Sequence, residues 1–218
     1  MDWMAPLDAY CERLGPGLWA EPLNFLSNAA FLVAAIWCWR RANGLALPRA
    51  LSVILFAIGI GSGLFHSVAT HWAMLADVIP IGLFILAYVH AANRVFWRWP
   101  AWAAALGAAG FVPWAMALTP VFAALPFFAV SAFYWPVPLL IALYAALLWR
   151  RWPMAGRGLA AGAALLCLSL AFRSIDETLC ARLPIGTHFM WHILNATMLG
   201  LMIELIRRAL LAGPPRGG

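Results

Sequence analysis

Apolar residues along this chain run in long blocks that carry almost no charge, separated by short loops bearing arginine. The blocks lack the strict alternation of a half-buried strand. Each approaches the roughly 20 residues that a helix needs to cross a hydrocarbon core. The pattern predicts helical spans at Pro22–Trp39, Ala50–Thr70, Ala73–Ala92, Trp99–Leu118, Val121–Trp149, Gly158–Ser174 and Gly186–Ile206. The stretch Trp99–Trp149 contains no charge, is too long for one helix and suits two. Pro113, Pro120, Pro126, Pro136 and Pro138 fall across it and blur its internal boundary.

Seven spans place the two termini on opposite sides, and the alternation then sorts the charges. Arg40, Arg41, Arg49, Arg94, Arg98, Arg150, Arg151, Arg157, Arg207, Arg208 and Arg216 fall on one side, and only Arg13, Arg173 and Arg182 on the other. The arginine-rich side is expected to be cytoplasmic, with the N-terminus outside. Asp8, Glu12, Glu21, Asp77, Asp176 and Glu177 collect on the outer side. The expected architecture is therefore an all-α polytopic membrane protein. It comprises an extracytoplasmic segment over residues 1–21, a seven-helix domain over 22–211 and a frayed cytoplasmic tail over 212–218.

Composition agrees. Of 218 residues, 65% are hydrophobic and 10% charged, against about half and a quarter in a soluble domain. The net charge of +6 resides in arginines that flank apolar runs, which is a topology signal and not a nucleic-acid surface. The expected partners are the bilayer and its lipids. The first ten residues hold acid and no basic run, unlike a cleaved signal peptide. Cys11 and Cys180 both fall on the outer side, where a bridge between them would persist in an oxidising compartment; two unpaired thiols are the alternative.

Ionisable side chains at membrane depth are costly and mark function. His66, Asp77, His188 and His192 lie near the outer ends of their spans. His188 and His192 share one helix face, one turn apart, as two ligands to one metal require. His66 closes the second span at the same depth, and Asp77 opens the third. Three imidazoles with one open position form the pattern of catalytic zinc. Asp77 then suits a general base, and Ser62, one turn before His66, suits a donor to a water or a developing oxyanion. Packing histidines or axial haem ligands are competing readings of the imidazoles, although haem calls for neither Ser62 nor Asp77. Glu21, Asn24 and Asn28 share one face of the first span, where they can support the site or simply bond between helices. Ser27 lies beside them. His71 and His90 read as interfacial or supporting residues. Glu204 is expected to pair with Arg208 at i, i+4.

Three blocks carry a family likeness: E-P-L-N-F-L-S-N over Glu21–Asn28, S-G-L-F-H over Ser62–His66 with Asp77 eleven residues on, and H-F-M-W-H-I-L over His188–Leu194. In this order, spread over nearly the whole chain, they resemble the alkaline ceramidases, within the seven-helix hydrolases that include adiponectin-receptor-like proteins. The resemblance implies a zinc site of His66, His188 and His192, completed by Ser62 and Asp77, and hydrolysis of a long-chain lipid amide such as ceramide. It also implies a luminal Cys11–Cys180 disulfide and a calcium site drawing on Asp8, Glu12 and Glu21. The chain departs from that calcium pattern: Asp8 is shifted by one position, the Glu12–Glu21 stretch is shorter, and Leu14 stands where an amide ligand is expected. A lipid-binding or receptor-like protein with a structural zinc site is the rival expectation.

Overall fold

The computed structural model describes residues 2–15 and 17–213, and among them helices α1 to α10 account for nearly all regular structure. α1 (Pro22–Ser27) and α2 (Ala29–Arg41) meet at Asn28, whose backbone stays right-handed helical, so they form one 20-residue rod. α3 (Ala46–Val68), α4 (His71–Phe96), α9 (Pro153–Leu179) and α10 (His188–Ala212) are single long helices. α5 (Ala101–Ala109) and α6 (Phe111–Ala123) continue through Gly110 as one 23-residue rod. Six of these rods are long and apolar enough to cross a membrane.

The expected fifth span takes a different form. A four-residue helix, α7 (Pro126–Ala129), leads through turns into the 13-residue α8 (Pro136–Leu148). Pro126 and Pro136 each open a helix, where a ring without an N–H costs nothing. The same prolines cannot continue a helix from the preceding turn, so the predicted rod breaks there. At the chain's end, α10 runs through Ala212, two turns beyond the predicted span, and Pro214–Gly218 of the expected tail lie outside the described residues.

The core lies where α2, α3, α4, α8, α9 and α10 meet, filled by Phe31, Leu55, Leu159, Leu170, Met202 and Ile206 among others. Outward-facing positions are apolar too: Val33, Leu106, Met116 and Leu147 are each more than half exposed. Such a surface is unstable against water and natural against lipid, so the chain is an integral membrane protein. At Gly61 the backbones of α3 and α4 nearly touch: a Cβ there would lie 2.7 Å from the Ala76 carbonyl carbon and 3.2 Å from the Asp77 nitrogen. That approach sets Ser62 and Asp77 side by side.

The N-terminal segment is tied down. Leu7 N–H donates to Ala69 O at 2.7 Å, Trp72 N–H to Trp3 O at 3.3 Å, and the His71 ring meets Ala5 O at 3.3 Å. Trp3, Ala5 and Leu7 thus lie across the α3–α4 turn, and a Cys11–Cys180 disulfide with Cα atoms 5.2 Å apart joins the segment to the end of α9.

Candidate metal centre

His66 on the last turn of α3 and His188 and His192 on the first turn and a half of α10 come together, buried, where the end of α3 meets the start of α10. Their ring centroids are separated by 5.1 Å (His66–His188), 4.6 Å (His66–His192) and 4.6 Å (His188–His192). One nitrogen from each lies within 4.8 Å of the others, and no other such group of histidine, cysteine or acidic side chains forms among the described residues. His66 Nε2, His188 Nδ1 and His192 Nε2 are sealed from solvent with no hydrogen-bond partner. Buried polar atoms are nearly always satisfied, so an orphan on each of the three clustered rings calls for a ligand.

The far sides of two rings fix the tautomers. His66 Nδ1 meets Glu21 Oε2 at 2.6 Å; a carboxylate only accepts, so Nδ1 carries a proton and Nε2 is the nitrogen left to face a ligand. Ser27 donates its hydroxyl proton to Asn24 O at 2.9 Å, so its oxygen accepts from His192 Nδ1–H at 2.7 Å. His192 Nε2 is therefore also an open acceptor. Pre-oriented imidazoles of this kind are what a divalent metal needs.

Glu21 anchors the arrangement. Its other oxygen accepts from Arg13 Nε at 2.5 Å, and Asn24 Nδ2 donates to Oε2 at 3.0 Å. Burial alone would raise the Glu21 carboxyl; the hydrogen bonds from His66, Arg13 and Asn24 outweigh it and hold the group below the ordinary glutamate range. Arg13 also donates to His66 O at 3.1 Å, closing a ring between the N-terminal segment and the end of α3. Tyr10 stacks on His188 with centroids 3.7 Å apart, and burial pushes its phenol up.

Asp77, on the second turn of α4, has one carboxylate oxygen buried without a partner. It lies within reach of the Ser62 hydroxyl. The structure thus brings together all five residues expected at the zinc site. The expected support divides. Asn24 serves through Glu21, whereas Asn28 donates only to Asn24 O at 2.8 Å, and Ser27 is the residue that reaches His192.

The acids expected to hold calcium are otherwise engaged. Glu12 accepts from Leu23 N–H and Asn24 N–H at 2.7 Å each, satisfying the open N-terminus of α1, and Glu21 is spent on Arg13 and His66. With Asp8 they form no three-residue metal group among the described residues.

Asp176 was legible only as an outer-side acid. Its carboxylate accepts from Thr187 N–H at 2.5 Å and His188 N–H at 2.9 Å, and from Cys11 N–H at 3.1 Å. It caps the helix that carries two of the imidazoles and couples it to the disulfide. One signal was available: Asp176 precedes Cys180 by one helical turn, so any bridge to Cys11 brings them together. Gly186, at φ +62°, lets the loop pass: a Cβ there would lie 2.8 Å from Cys11 Cβ. Glu204 gathers Arg207 and Arg41 in addition to the expected Arg208, the first at 2.7 Å and the second at 3.0 Å.

No protein-family model matches the chain, and no curated protein does.

Proposed function

We propose that the protein is a zinc-dependent hydrolase of lipid amides, ceramidase-like, with its site near the extracytoplasmic face. The observation that carries this reading is the set of three orphaned imidazole nitrogens with the orphaned Asp77 oxygen beside them. Three nitrogen donors with room for a further ligand fit zinc better than calcium or magnesium, which prefer oxygen. A bound zinc ion would supply Lewis-acid polarisation of a carbonyl and a water that ionises near neutral pH.

The remaining roles belong to the chain. Asp77 takes a proton from the attacking water and returns it to the amine nitrogen as the carbon–nitrogen bond breaks, leaving a fatty acid and an amine. Ser62 donates to the carbonyl oxygen as charge develops there. Glu21 and Ser27 hold the rings, and Tyr10 with the N-terminal segment limits access of bulk water. An acyl chain is accommodated by an apolar seam. Three cavities of about 40, 50 and 20 Å³ follow one another from Trp191 and Asn195 past Phe84 and Met198 to Tyr88 and Leu159. Their shared walls mark loose packing that a chain can part. A lipid-facing groove of about 550 Å³ between α4 and α6 offers lateral entry.

The same reading takes α7, the turns and α8 together as the seventh crossing. Only then do Arg150 and Arg151 join the other inner-side arginines, leaving the N-terminus outside and the C-terminus cytoplasmic. The Cys11–Cys180 disulfide on the opposite side supports that orientation.

Metal analysis of the purified protein and a lipid-amide hydrolysis panel test the proposal together. His188→Ala should lose both zinc and turnover. Asp77→Ala should keep zinc and lose about 10²–10⁴-fold in rate. Undiminished turnover in Asp77→Ala, or in metal-free protein, sinks it; zinc retention without hydrolysis of any amide turns the reading to a lipid-binding protein with a structural metal.

A further inference from the structure

Arg173 lies on α9 six residues before its outer end, about 9 Å into the span. Its Nη1 donates to Val130 O at 2.7 Å and to Ser131 Oγ at 3.0 Å, in the turns between α7 and α8. The guanidinium carbon stands 5.4 Å over the Tyr134 ring and 5.9 Å over the Trp191 ring. Trp191 is the neighbour of His192, and both aromatics line the outermost cavity of the apolar seam. Tyr10, stacked on His188, lies beside the same guanidinium. The Arg173 charge reaches Asp77, but no carboxylate forms an ion pair with it among the described residues.

The other arginine close to the centre differs. Arg13 is matched by Glu21, whereas Arg173 has a rigid aromatic seat and backbone tethers but no counter-ion. A cation at membrane depth is costly to keep, and one held in place with donors to spare is arranged for an anion that arrives from outside the chain. With the acyl tail in the seam and the amide at the imidazoles, the part of a lipid left to meet Arg173 is its head.

On the reading that the site cleaves lipid amides, we propose that Arg173 is a specificity residue that binds an anionic group, carboxylate or phosphate, carried on the amine portion of an N-acyl lipid. The preferred substrate is then an acidic N-acyl lipid and not a neutral ceramide. A planar fork fits either oxyanion by paired hydrogen bonds, while a diol head gains no such contact.

The test compares N-oleoyl glycine, N-oleoyl ethanolamine phosphate and neutral N-oleoyl ethanolamine, which share one acyl chain, on the zinc-loaded full-length protein in detergent. The expected result is a kcat/KM at least about tenfold higher for one or both acidic lipids, abolished in Arg173→Gln and partly kept in Arg173→Lys. A preference confined to the glycine lipid assigns a carboxylate head, and one confined to the phosphate lipid a phosphate head. Equal turnover of acidic and neutral lipids by the unaltered protein overturns the proposal and leaves the hydrolase reading standing, as does an equal loss on all three lipids in Arg173→Gln. Retention of the same three lipids in native mass spectrometry needs no turnover. If no lipid is cleaved, the hydrolase reading fails by itself. A retention preference for the acidic lipids that Arg173→Gln erases then still supports the Arg173 assignment, and equal retention overturns it.

Discussion

Replacing Glu21 by Gln separates the two duties of that carboxylate. The change keeps shape and one acceptor but removes the charge that Arg13 meets at 2.5 Å and that His66 Nδ1 meets at 2.6 Å. The side chains of Arg13 and Glu21 are 4% and 3% exposed, so the guanidinium has little water to turn to. Breaking one partner of a buried pair costs about 3–5 kcal/mol, and the retained carbonyl oxygen offsets part of that. A loss near 3 kcal/mol lowers the unfolding temperature by roughly 6–12 °C in a chain of this size. The second duty appears in metal affinity. An imidazole without its orienting carboxylate binds zinc about 10–100-fold more weakly. Thermal unfolding followed by tryptophan fluorescence reads the first effect, and zinc partition against a calibrated chelator, well below the unfolding temperature, reads the second. A variant that is less stable yet holds zinc with unchanged affinity would refute the orienting role and leave Glu21 as a counter-ion to Arg13 alone.

Other consequences follow from single contacts. Gly61→Ala presses a methyl group onto the Ala76 backbone and should cost about 1–3 kcal/mol, with a loss of activity larger than the loss of zinc because Asp77 moves; wild-type activity in a folded variant contradicts the close crossing. The Cys11→Ser/Cys180→Ser variant should lose about 2–4 kcal/mol in stability. Without prior reduction, only the unaltered protein should shield two thiols from alkylation, as read by mass shift. Glu204→Gln releases Arg41 of α2 from α10 and should cost about 1–2 kcal/mol, discounted because Arg41 and Arg208 are well exposed; an unchanged melting temperature shows that the pairing is dispensable.

Helix positions were legible because a bilayer demands long apolar runs and the charges mark where they stop. The His66, His188 and His192 cluster was legible for the opposite reason: imidazoles have no place in hydrocarbon unless something binds them. The i, i+4 spacing put two of them on one face, and the charge partition put the third at the same depth. The form of the fifth span was less legible: Pro126 and Pro136 each open a helix and cannot continue one, so the rod expected over Val121–Trp149 is divided. Asn28 and Ser27 show a finer limit. Periodicity selected the face of Glu21, Asn24 and Asn28, yet the rotation of α1 against α10 is set by packing, and it brought Ser27 to His192. The support from Arg13 and Asp176 depends on how loops fold back over the bundle, which no local pattern records.

The hydrogen bond from His192 to Ser27 joins residues 165 positions apart. At about 5–20 residues per second, a ribosome needs roughly 8–33 s to span that interval. Until α10 is inserted, the first rod must sit in lipid with Ser27 lacking its final partner. Its own bonds bridge the wait: Asn24 donates to Glu21, while Ser27 and Asn28 donate to the Asn24 carbonyl. A nascent chain is thereby kept tolerable to the membrane, and the three-imidazole cluster exists only once translation has delivered α10.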